Sequence, residues 1–142
     1  MSRDSAGPRW SPTAQQQTLA VLFIDPDLDS AERLARALPN LSAVAVVPTL
    51  QAALSAMNIR VPDLVVTEID LPDGNGLEFV SRLLATPSTR RVLTIVLTRR
   101  TSFVDKIAAF QAGADDYLVK PVDADNLSTH IRLVSRFRQV MP

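Results

Sequence analysis

The chain has 142 residues, of which 46% are hydrophobic and 21% are charged, so it can build one compact core but is too short for two full domains. Fifteen basic and fifteen acidic side chains cancel to a net charge of zero, which excludes a long-range attraction to nucleic acid or to an anionic membrane. The absence of cysteine and the presence of one histidine exclude disulfides, thiolate chemistry and a histidine metal cluster.

The first apolar run, Leu19 to Ile24, is too short to span a bilayer, and the segment before it lacks a signal-peptide layout. We therefore expect a soluble, cytoplasmic protein. Residues 1–17 mix Ser, Pro, Gly and Gln without an apolar period, which predicts a flexible N-terminal arm. Trp10 in this arm is either a docking anchor or an incidental aromatic. The remaining sequence predicts one domain over residues 18–138, with a C-terminal end or the start of a linker at 139–142.

Five short, β-branched apolar runs alternate with amphipathic segments, a pattern typical of parallel strands that are buried on both faces. The predicted strands are Leu19 to Asp25, Ala43 to Val47, Leu64 to Glu68, Leu93 to Thr98 and Tyr117 to Val119. Right-handed crossovers leave few topologies for such a chain. The pattern predicts an α/β fold: a doubly wound (βα)5 flavodoxin-like three-layer sandwich with a parallel five-stranded sheet in the order 2-1-3-4-5.

Local capping signals predict where the helices begin and end. Helix starts are indicated by side chains that can accept a hydrogen bond from the first turn: Asp27, Thr49, Asn75, Ser102 and Asp123. Gly113 indicates the end of the fourth helix, because glycine readily adopts the left-handed conformation of a helix C-terminus.

Polar side chains stand where four of the predicted strands end. These are Asp25 at the first strand, Glu68 at the third, Thr98 at the fourth and Lys120 at the fifth. The carboxyl ends of parallel strands share one edge of a sheet, and ligands of such sheets bind there. Carboxylates, a hydroxyl and an ammonium are the groups that hold a divalent cation beside a phosphoryl group.

Four motifs carry a resemblance to a known family. In order and spacing, the sequence resembles the CheY-like receiver domains of two-component response regulators over residues 19–138, through VLFIDPD, LVVTEIDLPDGNGLEFV, TIVLTRR and GADDYLVKPVDADNL. The resemblance implies that Asp25 corresponds to a metal-binding acid, and that Thr98 and Lys120 are the family's pocket residues. It further implies a cis peptide bond before Pro121 and a switch role for Tyr117.

Three positions depart from the pattern of the family. Pro26 stands at the second metal-binding acid, Glu68 stands at the phosphoacceptor aspartate, and Arg99 replaces a small residue. Only Asp25 and Glu68 remain as side-chain ligands, so the expected Mg²⁺ site is weak or absent, and no other cofactor is expected. Asp25 serves either a metal or an ion pair with the lysine. Arg99 either lies over the acids or, like Arg100, is solvated.

These departures favour a pseudo-receiver, a signalling and protein-interaction module that does not depend on phosphorylation and is not an enzyme. Glu68 then either mimics the phosphorylated state by reaching Lys120 or Thr98, or forms a structural ion pair with Lys120 or Arg99. The alternative is a functional receiver that a histidine kinase modifies at Glu68 or at Asp70, which is otherwise a solvated loop acid.

The last helix and its surroundings are the expected contact surface for a protein partner. Leu133, Phe137 and Val140 form a second apolar stripe beside the core stripe of that helix, which favours a homodimer through the last helix or its continuation into an output domain. The expected switch and interface residues are Tyr117, Asp116, Arg132, Arg136 and Phe137.

Overall fold

The computed structural model describes residues 7–12 and 19–140, and it describes the side chains of residues 7–11 and 19–137. Within residues 19–140, five parallel strands alternate with five helices. The strands are β1 (Leu19–Ile24), β2 (Leu41–Val47), β3 (Leu64–Thr67), β4 (Leu93–Thr98) and β5 (Asp116–Val119). The helices are α1 (Leu28–Ala37), α2 (Leu50–Ile59), α3 (Gly76–Ala85), α4 (Phe103–Ala112) and α5 (Ala124–Val140).

The parallel strands lie in the order β2-β1-β3-β4-β5. This confirms the predicted flavodoxin-like order and the α/β fold. The strands are apolar because helices cover both faces of the sheet. On one face, Phe23, Val66 and Leu97 pack with residues of α1 and α5. On the other face, α2, α3 and α4 cover the sheet.

The helix starts are built as the capping signals predict. In each case a side chain accepts a hydrogen bond from a backbone N–H of the first turn, at Asp27, Thr49, Asn75, Ser102 and Asp123. Gly113 ends α4 in the left-handed conformation, with a φ of 111°. These short-range bonds orient each helix directly after a strand end, where the polar side chains of the sheet edge stand. Within the described residues, no helix is long and apolar enough to cross a membrane.

Three residues of the predicted N-terminal arm, Trp10 to Pro12, contact the domain. Ser11 and Pro12 pair antiparallel with β2. The Trp10 indole N–H donates to the carbonyl of Ala56 in α2 at 3.1 Å, and the Arg60 guanidinium lies 6.0 Å from the indole centroid. An indole combines a large apolar surface with one donor, so it anchors a polar segment that composition alone does not order. The rest of the predicted arm lies outside the described residues.

Candidate functional site

The sheet brings the four predicted side chains to one edge. Asp25 and Glu68 directly follow β1 and β3, Thr98 ends β4, and Lys120 directly follows β5. Asp25, Glu68 and Thr98 are buried, with 6%, 8% and 1% of their surfaces exposed. Polar groups buried to this extent need hydrogen-bond partners inside the protein.

The ammonium of Lys120 joins the two carboxylates. Its Nζ lies 2.7 Å from Oδ2 of Asp25 and 3.0 Å from Oε1 of Glu68. We call these three residues the acid–lysine triad. The side chains are 14% exposed for Lys120, 9% for Asp25 and 10% for Glu68, so water screens their interactions only weakly. The sequence left Asp25 between metal binding and an ion pair, and the ion pair is present.

The second oxygen of each carboxylate also has a donor. The backbone N–H of Ile69 donates to Oε2 of Glu68 at 2.8 Å, and the backbone N–H of Asp27 donates to Oδ1 of Asp25 at 2.9 Å. Each carboxylate therefore receives one charged and one neutral hydrogen bond. This arrangement fixes the rotamer of both acids and satisfies all four oxygens within the protein.

The backbone at Glu68 is held by two residues that the sequence reading did not single out. The Thr67 hydroxyl donates to the carbonyl of Glu68 at 2.9 Å, and the N–H of Gly76 donates to the carbonyl of Ile69 at 2.8 Å. A Cβ at position 76 would stand 2.1 Å from the Glu68 carbonyl oxygen. Only glycine fits this approach, and its place in the Asp-Gly-Asn-Gly turn is the signal that could have identified it.

The residues at this edge do not fit a Mg²⁺ ion. Pro26 offers no side-chain oxygen, and the carboxylate of Asp27 accepts a hydrogen bond from the N–H of Ser30 at the start of α1. Across residues 7–12 and 19–140, no group of three or more His, Cys, Asp and Glu side chains is arranged to hold a metal ion. Mg²⁺ requires near-ideal octahedral oxygen geometry, whereas the oxygens of Asp25 and Glu68 are already engaged by N–H donors.

Residues 21–132 match the family model for the response regulator receiver domain. The chain belongs to the receiver family. Over 88 residues it is 43% identical to the KDP operon transcriptional regulatory protein KdpE of Escherichia coli K12, a match that covers 62% of this chain and 38% of KdpE. Over 130 residues it is 35% identical to a 14.6 kDa protein of Leptolyngbya boryana, covering 89% of this chain and 97% of that protein.

The solved structure of a putative response regulator from Chloroflexus aurantiacus superimposes on this receiver domain with a TM-score of 0.75. The two sequences are 26% identical, and the match covers 83% of this chain and 98% of the other. The peptide bond between Lys120 and Pro121 is cis, as the resemblance to receivers implies. Asp25, Thr98 and Lys120 thus stand where the family places its pocket residues, around a glutamate.

The two arginines after β4 behave differently in this receiver domain. Arg99 is exposed, and within the described part of the chain it makes no hydrogen bond or ion pair. Arg100 was expected to be solvated, but its guanidinium forms a two-point contact with the carboxylate of Asp70 and a 3.1 Å bond to Asp105. Arg100 thereby ties the β3–α3 loop to the first turn of α4. Asp70 is exposed, as expected for a loop acid, but its carboxylate is also paired with Arg100.

Tyr117 is buried on the face of the sheet that α3 and α4 cover. Its hydroxyl donates to the carbonyl of Arg100 at 3.0 Å, and 6% of its surface is exposed. Burial raises the pKa of the Tyr117 phenol. The nearby hydroxyl of Thr98 accepts a hydrogen bond from the N–H of Arg100 at 3.3 Å. The loop after β4 is therefore bonded to Thr98 at the end of β4 and to Tyr117 in β5, and the switch role of Tyr117 stays a prediction.

Replacement of Arg100 by Gln should raise the pKa of Asp70. The pKa of this carboxyl lies below its usual range, and the hydrogen bonds from Arg100 are the largest cause. An NMR titration of the Asp70 carboxyl resonance between about pH 2 and pH 6 measures the change. Arg99→Gln is the matched control, because Arg99 does not contact Asp70, and it should leave the titration unchanged. An equal shift in both variants would contradict the assignment of the two arginines.

The predicted interface residues occupy two different surroundings. Asp116 on β5 accepts a 2.8 Å hydrogen bond from the N–H of Tyr117, and its other oxygen lies 2.6 Å from Nδ1 of His130 on α5. Arg132 and Arg136 are exposed and line a surface cavity at the connection between α1 and β2. The interface role of these arginines stays a prediction. The carboxylate of Asp116 contacts His130 and neither of the two arginines.

Large apolar side chains are exposed on α4, β5 and α5, and they include two of the predicted stripe. The exposed residues are Phe103, Val104, Ile107, Phe110, Val119, Leu133 and Phe137. Phe137 is 63% exposed and Leu133 is 56% exposed, whereas Leu127, Ile131 and Val134 form the buried stripe as predicted. Val140, the third residue of the predicted outer stripe, lies outside the described side chains.

Proposed function

We propose that this receiver domain is a pseudo-receiver, a cytoplasmic signalling and protein-interaction module that works without phosphorylation and is not an enzyme. The observation that carries this proposal is the acid–lysine triad. Lys120 binds Asp25 and Glu68 at the same time, and a glutamate stands at the phosphoacceptor position.

Phosphoryl transfer to Glu68 is disfavoured by the geometry of its carboxylate. An attacking oxygen must align with the phosphorus atom, and a misplacement of about 1 Å can slow a reaction by roughly a hundredfold. Both oxygens of Glu68 already accept hydrogen bonds, from Lys120 and from Ile69. Attack would require at least one of these bonds to break, in a pocket whose residues do not fit the Mg²⁺ ion that neutralises the phosphoryl charge.

The contact between Glu68 and Lys120 supports a partial mimic of the phosphorylated state. A phosphoryl group brings a charge of about −1.5 to −2 and three acceptor oxygens, whereas Glu68 brings one charge and two oxygens. Full conversion of a two-state element needs roughly 5.5 kcal/mol of bias, and one charged hydrogen bond supplies less. The triad therefore biases the surface of α4, β5 and α5 only in part, or ties the strand ends together.

The second candidate is a functional receiver that a histidine kinase modifies at Glu68 or Asp70. The exposure of Asp70 favours it, since 65% of that side chain is open to solvent. Two hydrogen bonds from Arg100 oppose it, because they engage both oxygens of the carboxylate. Such a receiver would need Mg²⁺, for which the site offers two acids in place of the three that receivers use.

Incubation with acetyl phosphate and Mg²⁺, followed by intact mass spectrometry, tests the proposal. We expect no phosphoryl adduct on the wild-type chain, and an adduct on the Pro26→Asp/Glu68→Asp double variant, because this pair restores the missing acid and the shorter acceptor. Glu68→Asp alone should react less than the double variant. The Asp70→Asn variant shows whether any adduct lies on Asp70. A stoichiometric adduct on the wild-type chain would refute the pseudo-receiver.

We further propose that the partner surface is the exposed apolar face of α5, in a homodimer. Leu133 and Phe137 lie one helical turn apart and are both more than half exposed, and pairing of two such faces removes them from water. A protein partner or an output domain is the alternative occupant, and the match to 38% of KdpE is in keeping with a domain that can be joined to others.

Size-exclusion chromatography with light scattering tests the dimer. We expect a dimer for the wild-type chain and a monomer for Phe137→Glu, because two buried carboxylates would face each other across the interface. Asn126→Glu is the matched control, since Asn126 is exposed on the same helix, and it should remain a dimer. A monomeric wild-type chain, or dimers from both variants, would exclude this surface.

A further inference from the structure

A cleft of about 350 Å³ lies beside the acid–lysine triad, between α1 and the segment that joins β5 to α5. Binding sites for small molecules occupy about 300 to 1,000 Å³ and are mostly apolar, with a few polar groups at defined positions. The cleft extends from the triad over the α1 side of the sheet. It is therefore large enough for a small organic molecule.

About half of the residues that line the cleft are apolar. Phe23, Val66 and Leu97 contribute the floor from three neighbouring strands, and each is at most 3% exposed. Ala31 on α1 and Ala124 at the start of α5 line the walls, and their single methyl groups leave the space open. Larger side chains at these two positions would fill it, as apolar interiors usually are filled.

The mouth of the cleft presents hydrogen-bond donors. The acids Asp25, Glu68 and Asp27 already accept hydrogen bonds from the protein. Arg33 donates a 3.5 Å hydrogen bond to Ser30, and its charge helps to lower the pKa of the Asp27 carboxyl, whereas within the described residues Arg99 makes no hydrogen bond. Each guanidinium carries five N–H donors. The groups with spare bonding capacity at the mouth are therefore cationic.

We propose that this cleft binds a small amphipathic anion as the input signal of the domain. The apolar body lies against Leu34, Ala37 and Val122, the apolar lining residues that have accessible surface, and the acidic head accepts hydrogen bonds from Arg99 and Arg33. The charges at the mouth sum to zero: the triad and Asp27 carry three negative charges and one positive charge, and the two arginines add two positive charges. Selectivity for an anion therefore comes from the directed hydrogen bonds of the arginine N–H groups and not from a net positive charge. The signalling role of this ligand rests on the proposed function, because the ligand would bind at the position where other receivers carry out phosphoryl transfer.

Isothermal titration of the full chain with octanoate, octyl phosphate, octanol and octyltrimethylammonium tests the proposal. We expect one site that binds octanoate or octyl phosphate, and the tighter of the two identifies the head group. Octanol should bind about tenfold more weakly, since it lacks the charge-assisted hydrogen bonds. The cationic octyltrimethylammonium should bind more weakly still. Equal binding of all four probes, or no binding of either anion, would overturn the proposal.

Variants locate the site. Arg99→Gln should weaken binding of the anion about tenfold, whereas Arg90→Gln, at an exposed position outside the cleft, should not change it. Ala31→Leu and Ala124→Leu should each abolish binding by filling the cleft, and circular dichroism verifies the fold of each variant. Retention of binding in a folded leucine variant, or an unchanged affinity in Arg99→Gln, would place the anion elsewhere.

Binding is measured without a phosphodonor, so its outcome is separate from that of the proposed function. A phosphoryl adduct on the wild-type chain would refute the pseudo-receiver and leave the measured affinity intact. Failure of both anions to bind would refute the ligand site and leave the triad argument against phosphorylation unchanged.

Discussion

Replacement of Lys120 by Met should lower the free energy of unfolding by about 3–5 kcal/mol at neutral pH, because it leaves two buried carboxylates without their shared cation. Asp25 and Glu68 would then repel each other at side-chain exposures of 9% and 10%. Methionine keeps the apolar stem of lysine, so the loss reports the charge and its hydrogen bonds. Urea unfolding followed by circular dichroism measures the change.

Lys106→Met is the matched control, because Lys106 is the other lysine of the chain and is exposed on α4. Surface substitutions of this kind change stability by about 0.5 kcal/mol or less. A Lys120→Met variant as stable as the Lys106→Met variant would mean that the two ion pairs of the triad contribute little to the stability of the domain.

The contribution of Lys120 should depend on pH in one direction only. Burial acts to lower the pKa of Lys120, but hydrogen bonds to Asp25 and Glu68 outweigh it, so the pKa lies above its usual 10.5. A group whose pKa is raised in the folded state stabilises it fully below the unfolded pKa, and this stabilisation is lost as the pH rises through the folded pKa. The stability difference between wild type and Lys120→Met should therefore be level between about pH 7 and pH 9, and it should shrink above about pH 10.5.

Replacement of Gly76 by Ala should also destabilise the domain, by about 2–3 kcal/mol. Alanine favours a helix over glycine by about 1 kcal/mol, but its Cβ would stand 2.1 Å from the Glu68 carbonyl oxygen. The neighbour is backbone, so the overlap can be relieved only by moving the chain at Glu68. Urea unfolding measures the stability, and the reaction of Glu68 with carbodiimide in the folded protein reports its displacement.

Gly74→Ala is the matched control two residues earlier in the same turn. A Cβ at position 74 would stand 2.6 Å from Cδ1 of Leu50, the far end of a flexible side chain. That side chain can rotate away, so we expect a change of about 1 kcal/mol or less. If Gly76→Ala proved no less stable than Gly74→Ala, the close approach of α3 to Glu68 would not constrain the site.

The fold could be predicted from the sequence because its signals are local. The five apolar runs and the capping residues act over one strand or one helical turn, and the observed strands begin and end within two residues of the predicted bounds. The contacts of the N-terminal segment were harder to predict, because they consist of one tryptophan and a short antiparallel pairing of Ser11 and Pro12 with β2. The indole N–H of Trp10 donates to the carbonyl of Ala56, 46 residues further along the chain. The composition of the segment cannot predict a contact between residues so far apart.

The residues of the candidate site could be predicted from the sequence, but which of them contact each other could not. The sequence placed Asp25, Glu68 and Lys120 at one sheet edge, and it left the partner of Glu68 open between Lys120, Thr98 and Arg99. It allowed both Arg99 and Arg100 to be solvated, and it gave only Arg99 the alternative of lying over the acids. Their difference is geometric, since one of two successive side chains contacts Asp70 and Asp105 while the other is exposed beside the cleft.

By itself, the sequence determined the parallel α/β fold, the helix starts and the replacement of the phosphoacceptor by Glu68, because periodicity, capping and residue identity are properties of short segments. The tertiary structure alone decided that Lys120 binds both acids. Asp25 and Lys120 are 95 residues apart, and Glu68 and Lys120 are 52 apart. Side-chain pairing at such separations depends on how the crossovers align the strand ends to within an ångström, and no local pattern specifies that alignment.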